Sequence, residues 1–138
     1  MKLSAKTEYA LLAMIVLSEQ YDSGFLKISD IAENKKIPRK FLEQILLSLK
    51  RAGYLKSRRG ADGGYKLAIS PSLITLAEII RLFDGPLAPV ESVSRYFYEH
   101  TPLEQDQRFI KIFREIRDYI SDKLESTTFG EMIVKSER

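Results

Sequence analysis

The hydrophobic period of this chain changes at Gly53, and that change constrains the fold more than any other feature. Before it, apolar residues recur at helical spacing. After it, "YLKSRRGADGGYKLAI" alternates in two short runs, 55–58 and 65–68, around Gly60, Gly63 and Gly64. A period near 3.6 residues calls for helices that bury one face, and a period of two around a glycine-rich turn calls for a β-hairpin. The helical part falls into three pieces. "SAKTEYALLAMIVLSEQY" is nearly continuous in apolar residues (Leu11, Met14, Ile15, Val16), which predicts a first helix buried on more than one side, capped by Ser4 or Thr7 and ended at Gly24. "ISDIAENKK" predicts a short helix carrying Ile28, Ile31 and Ala32. After the turn "KKIP", Pro38 opens a helix over 39–52, with Gly53 as its C-terminal stop. On that helix Phe41, Leu42, Ile45, Leu46 and Leu49 form one stripe. Arg39, Lys40, Glu43, Gln44, Lys50 and Arg51 lie around the other side, with Leu47 among them.

Helical spacing resumes in "SPSLITLAEIIRLFDGP", where Thr75 and Glu78 form a capping box and Asp84-Gly85-Pro86 stops the helix. The pattern is irregular from Pro86 to about Gln105, with Tyr96, Phe97 and Tyr98 next to His100. From about Pro102 to Leu124 helical spacing returns. Phe109, Ile112, Phe113, Ile116, Tyr119, Ile120 and Leu124 lie on one face, and Lys111, Arg114, Glu115, Asp118 and Asp122 on the other. That helix either packs back on its own chain or pairs with another. Thr128 then caps a short terminal helix. The expected architecture is mainly α with a small β-hairpin wing: a winged helix-turn-helix domain over 1–85, an irregular sensor-like loop over 86–107, and a dimerisation helix with a short terminal helix over 108–138.

Composition removes whole chemistries. The 138 residues hold no cysteine and one histidine. Disulfides, thiolate zinc sites, cysteine nucleophiles and cysteine-ligated iron–sulfur clusters are therefore excluded. No Ser/His/Asp, phosphate-loop or zinc signature stands in the chain, so no enzyme is expected. No apolar run reaches the roughly 18 residues of a membrane span. The stretch behind Lys2 and Lys6 is too short for a secretory leader, so a cytoplasmic location is expected. Charge is divided: residues 1–70 carry 13 Lys/Arg against seven Asp/Glu, net +6, and residues 71–138 carry a net −3. A basic half suggests a polyanionic partner, through phosphate neutralisation and counterion release.

Double-stranded DNA is the polyanion that a winged helix-turn-helix fits. A helix over 39–52 is narrow enough for the major groove. Pro38, Arg39, Lys40, Glu43 and Gln44 stand at its N-terminal end, where a glutamate accepts from cytosine and a glutamine pairs with adenine. Glu43 reads a base or orients Arg39; Leu47 touches a thymine methyl or packs on the first helix. In the wing, Arg58 and Arg59 suit a narrow, negative minor groove, and Gly60, Gly63 and Gly64 let the backbone approach phosphates. The competing reading is a winged-helix interaction module that regulates a metabolic enzyme complex through protein contacts.

"MKLSAKTEYALLAM", "ISDIAENKKIPRKFLEQILLSLKRAGYLKSRRGADGGYKLA", "ITLAEIIRLFDGP" and the terminal "STTFGEM" together resemble the Rrf family of bacterial regulators, the IscR/NsrR/CymR type. The resemblance implies a homodimeric winged-helix transcription factor, usually a repressor, acting on an imperfect palindrome. It implies that Phe109, Ile112, Phe113, Ile116, Tyr119 and Ile120 lie on a helix that crosses its partner. It also implies that Arg59 enters the minor groove and that Glu43 is the family's "LEQ" glutamate. Many members bind an iron–sulfur cluster through three cysteines in the loop before the long helix. Here that loop reads "PVESVSRYFYEHTPLEQDQ", without cysteine, and the position of a histidine used by some members falls near Ile110. No such cofactor is expected, and no metal site. Tyr96, Tyr98 and His100 are the candidates for contact with a small-molecule or protein effector.

Overall fold

The computed structural model describes residues 1–136, which form six helices and one hairpin. Helix α1 (Ala5–Glu19) begins at Ser4, whose hydroxyl accepts from the Thr7 amide. Ala10, Ala13, Met14, Val16 and Leu17 are buried, so α1 is the axle of the core, as its continuous apolar run predicts. Ser4 also donates through its amide and hydroxyl to Asp84 at 3.0 and 2.7 Å, joining the start of α1 to the end of a later helix. Burial opposes ionisation of Asp84, yet the hydrogen bonds from Ser4 and Thr7 outweigh it and hold the carboxyl below its usual range.

Helix α2 (Ile28–Asn34) and α3 (Arg39–Arg51) are joined by a tight turn. Lys36 takes the left-handed conformation there (φ 54°). The Ile37 amide donates back to Ala32 at 2.8 Å and the Lys36 amide to Glu33, a Schellman ending with lysine where glycine is usual. The same ending closes α3 with Gly53 (φ 91°) and the Tyr54 amide on Leu49. Leu42, Ile45, Leu46 and Leu49 of α3 are fully buried in the core. Phe41, expected in that stripe, is instead 39% exposed and stacks on Tyr9 of α1, ring centroids 5.6 Å apart. It lies at the edge of the stripe, where one helix face turns away from the core.

Strands β1 (Leu55–Arg58) and β2 (Gly64–Leu67) pair antiparallel, Leu55 opposite Leu67 and Arg58 opposite Gly64. The second strand thus begins one residue earlier than the alternation indicates. Helix α4 (Leu76–Asp84) carries the expected capping box: Thr75 and Glu78 exchange side-chain to backbone hydrogen bonds at 2.8 and 3.2 Å. Glu78 also accepts from the Tyr54 hydroxyl; burial first, then this carboxylate, pushes the Tyr54 pKa up to about 12.

The stretch expected to be irregular contains short 3₁₀ turns at Glu91–Val93 and Pro102–Gln105, so the helix expected from about Pro102 is interrupted. Helix α5 runs Gln107–Glu125, because Asp106 adopts an extended backbone and its carboxylate accepts from the Arg108 amide. Helix α6 (Phe129–Ser136) then returns to the core around α1. Leu76 donates to Thr127 and Phe129 to Ile74 at 2.9 and 3.0 Å, and Phe129 is fully buried in the core cluster that includes residues of α1 and α3. Phe129→Ala is expected to cost about 3–5 kcal/mol of global stability. Chemical denaturation followed by far-UV circular dichroism checks this; a loss confined to the C-terminal helices would show that α6 is not part of the core.

Candidate nucleic-acid interface

The buried stripe of α3 decides which of its residues meet solvent. Pro38, Arg39, Lys40, Glu43 and Gln44 are all exposed at its N-terminal end. Arg39 Nε lies 3.6 Å from Glu43 Oε1, with the two side chains 58% and 60% exposed. A solvent-open i,i+4 pair adds little stability, and both heads stay accessible to a base edge. Leu47 projects on the same side, so it does not pack on α1.

The wing does not stand alone. Leu26, in the link between α1 and α2, exchanges two backbone hydrogen bonds of 2.8 Å with Tyr65, an isolated β-bridge on the outer edge of the hairpin's second strand. Phe25 lies under two cations: the Arg58 guanidinium is 4.4 Å and the Lys66 ammonium 4.8 Å from its ring centroid. Arg58 also donates to the Asp62 carbonyl at 2.8 Å. Arg58 therefore organises the wing. Arg59 is exposed, and its side chain forms no hydrogen bond or ion pair with any described residue. The two arginines, equivalent by sequence, have different surroundings.

The glycines differ likewise. A Cβ on Gly63 would lie 2.2 Å from the Arg58 carbonyl oxygen, and one on Gly64 (φ 143°) 2.0 Å from the Leu26 carbonyl oxygen. Both admit close approach within the protein; of the three, only Gly60 is exposed. Sequence reading missed Phe25 and Leu26. The available signal was an aromatic–leucine pair wedged between a helix-ending glycine and the next helix.

The six apolar residues assigned to dimerisation separate. Phe109, Ile112, Ile116 and Tyr119 are 50%, 54%, 40% and 75% exposed. Phe113 is half-buried against Ala88, Val93 and Ile110, and Ile120 against Ala77, Ile80 and Leu87. In the preceding loop Tyr96, Tyr98 and His100 are exposed and do not form a cage. Tyr96 covers the Arg81 guanidinium at 4.8 Å, while the Tyr98 hydroxyl donates to Glu104 at 2.6 Å. Hydrogen bonds from Tyr98 and then His100 hold the Glu104 carboxyl below its usual range. Arg95 binds Asp118 at 2.8 Å and Arg117 donates to the Val93 carbonyl at 2.9 Å, fastening the loop along α5.

A helix-turn-helix with an exposed cationic second helix, a supported β-wing and a long C-terminal helix defines a winged-helix DNA-binding regulator. The Rrf2 family profile, described as "Iron-dependent Transcriptional regulator", matches residues 3–135, and the chain belongs to that family. It is 35% identical over 132 residues to the HTH-type transcriptional regulator CymR of Bacillus subtilis (96% of this chain, 89% of that protein). It is 29% identical over 137 residues to the HTH-type transcriptional regulator IscR of Aliivibrio salmonicida (99% and 80%). The structure of CymR, "the Global Cysteine Regulator of B. subtilis", superposes with a TM-score of 0.83 at 33% identity, covering 96% of this chain and 95% of that one. The chain is thus a DNA-binding transcriptional regulator.

The residues present do not fit the iron that the family description implies. The chain has no cysteine, and among the described residues no group of three or more His, Asp or Glu converges as a metal site. Glu104 is held by Tyr98 and His100, and Asp106 by Arg108. No described helix is long and apolar enough to cross a membrane.

Gly64→Ala is expected to destabilise the fold by about 2 kcal/mol or more, because strain at positive φ adds to a backbone collision. Gly60→Ala, with open space at its Cβ position, is expected to cost about 1 kcal/mol. Urea denaturation of both variants checks the order.

Proposed function

We propose that the chain is a cytoplasmic homodimeric repressor that binds an imperfect palindrome in double-stranded DNA, α3 in the major groove and Arg59 in the minor groove of each half-site. The observation that carries the reading is the exposed row on α5. Phe109, Ile112, Ile116 and Tyr119 are spaced three, four and three residues apart, which is the a/d seam of a helix pair. A seam of this kind, left open along one chain, fits a second copy of the same helix. Two copies related by a two-fold axis present two α3 helices, and half-sites about one helical turn apart follow from that symmetry. The basic N-terminal half, Arg39 and Lys40 at the positive end of α3, and the unpaired Arg59 supply the phosphate and groove contacts. The loop bearing Tyr96, Tyr98 and His100 lies against α5 through Arg95 and Arg117, a placement that suits contact with a small-molecule or protein effector.

Arg59→Ala is expected to weaken operator binding and to lower the slope of log K against log salt by about 0.9 per half-site. Gel-shift titrations across salt measure both. Ile116→Glu is expected to yield a folded monomer by sedimentation with greatly reduced affinity for the palindrome. A dimer that survives this charge would overturn the seam assignment.

A further inference from the structure

Leu47 is the residue of α3 that neither packing nor charge accounts for. At 100° per residue it lies roughly 150° from the centre of the stripe formed by Leu42, Ile45, Leu46 and Leu49, and 43% of its surface is exposed. The other exposed apolar residue of α3, Phe41, has the Tyr9 ring as a partner. Leu47 is ringed on the helix surface by Glu43, Gln44, Lys50 and Arg51, all of them exposed. Positions three and four residues apart are neighbours on a helix, so Leu47 continues the ridge of Gln44 and Glu43 by one turn.

An apolar side chain in the middle of a groove-facing surface needs an apolar partner there. On the base edges of the major groove the only such group among unmodified bases is the C5-methyl of thymine. We infer that Leu47 is a specificity-determining residue that packs on a thymine methyl in each half-site. The inference rests on the major-groove reading of α3. A rise of about 1.5 Å per residue places Leu47 about 6 Å along the axis from Glu43, so the thymine stands no more than about two base-pair steps from the base facing Glu43.

The test starts from half-sites selected by the wild-type protein on random duplexes. Each thymine is then replaced singly by deoxyuridine, which deletes only the methyl group. One position per half-site is expected to lose about fourfold in wild-type affinity, the worth of one buried methyl. The same replacement is expected to leave Leu47→Ala unaffected, while Leu47→Met keeps the sensitivity. Circular dichroism and thermal melting of both variants confirm that this exposed position leaves the fold intact. Methyl-insensitive binding by the wild type, selected half-sites without thymine, or a methyl effect that persists in Leu47→Ala each overturn the inference while leaving the DNA-binding reading in place. A wild type that selects no site overturns both.

Discussion

Burial of Leu42, Ile45, Leu46 and Leu49 in the core organised around α1 is the interaction on which the rest of the molecule depends. Each of these side chains is fully buried, worth roughly 1.5–3 kcal/mol on removal from water. Together they fix the rotation of α3 about its axis. That rotation turns Arg39, Lys40, Glu43, Gln44 and Leu47 to solvent as one surface. A change of one residue in the stripe's register would rotate this surface by about 100° and turn the cations toward another side of the molecule. Recognition by this helix is in that sense a consequence of core packing on its opposite face.

The wing is placed by a different force. Its strands are four residues each, and an isolated hairpin of that size is marginal in water. Support comes from Leu55 and Leu67 in the core, from the backbone exchange between Leu26 and Tyr65, and from the Phe25 ring under Arg58 and Lys66. The α1–α2 link therefore serves both motifs: it leads into the helix-turn-helix and braces the wing. Gly63 and Gly64 make this possible by giving up a side chain where backbone meets backbone.

Helix α5 joins the core to an open surface. Ile110, Phe113, Ile120 and Leu124 hold it to its own chain, and Arg81, Arg95 and Arg117 tie it to α4 and the preceding loop. What remains is a narrow apolar row on the far side. Arginine–carboxylate pairs and a tyrosine–glutamate–histidine contact occupy the loop before this helix.

By itself the sequence determined the order of elements, the capping box at Thr75 and Glu78, the glycine stop at Gly53, the family, and the set of polar residues at the start of α3. These follow from local periodicity and from turn and cap chemistry, which act over a few residues and leave their mark in the chain. Tertiary structure decided what depends on residues far apart in the chain: that Arg58 is held by Phe25 while Arg59 is free, that Gly63 and Gly64 meet backbone of the protein, that Phe129 belongs to the core around α1, and that four of the six apolar α5 residues singled out from the sequence remain exposed. A helical period reveals that α5 has an apolar face, but two apolar faces overlap in one stripe. Only the positions of α4 and the loop determine which part of it is already buried.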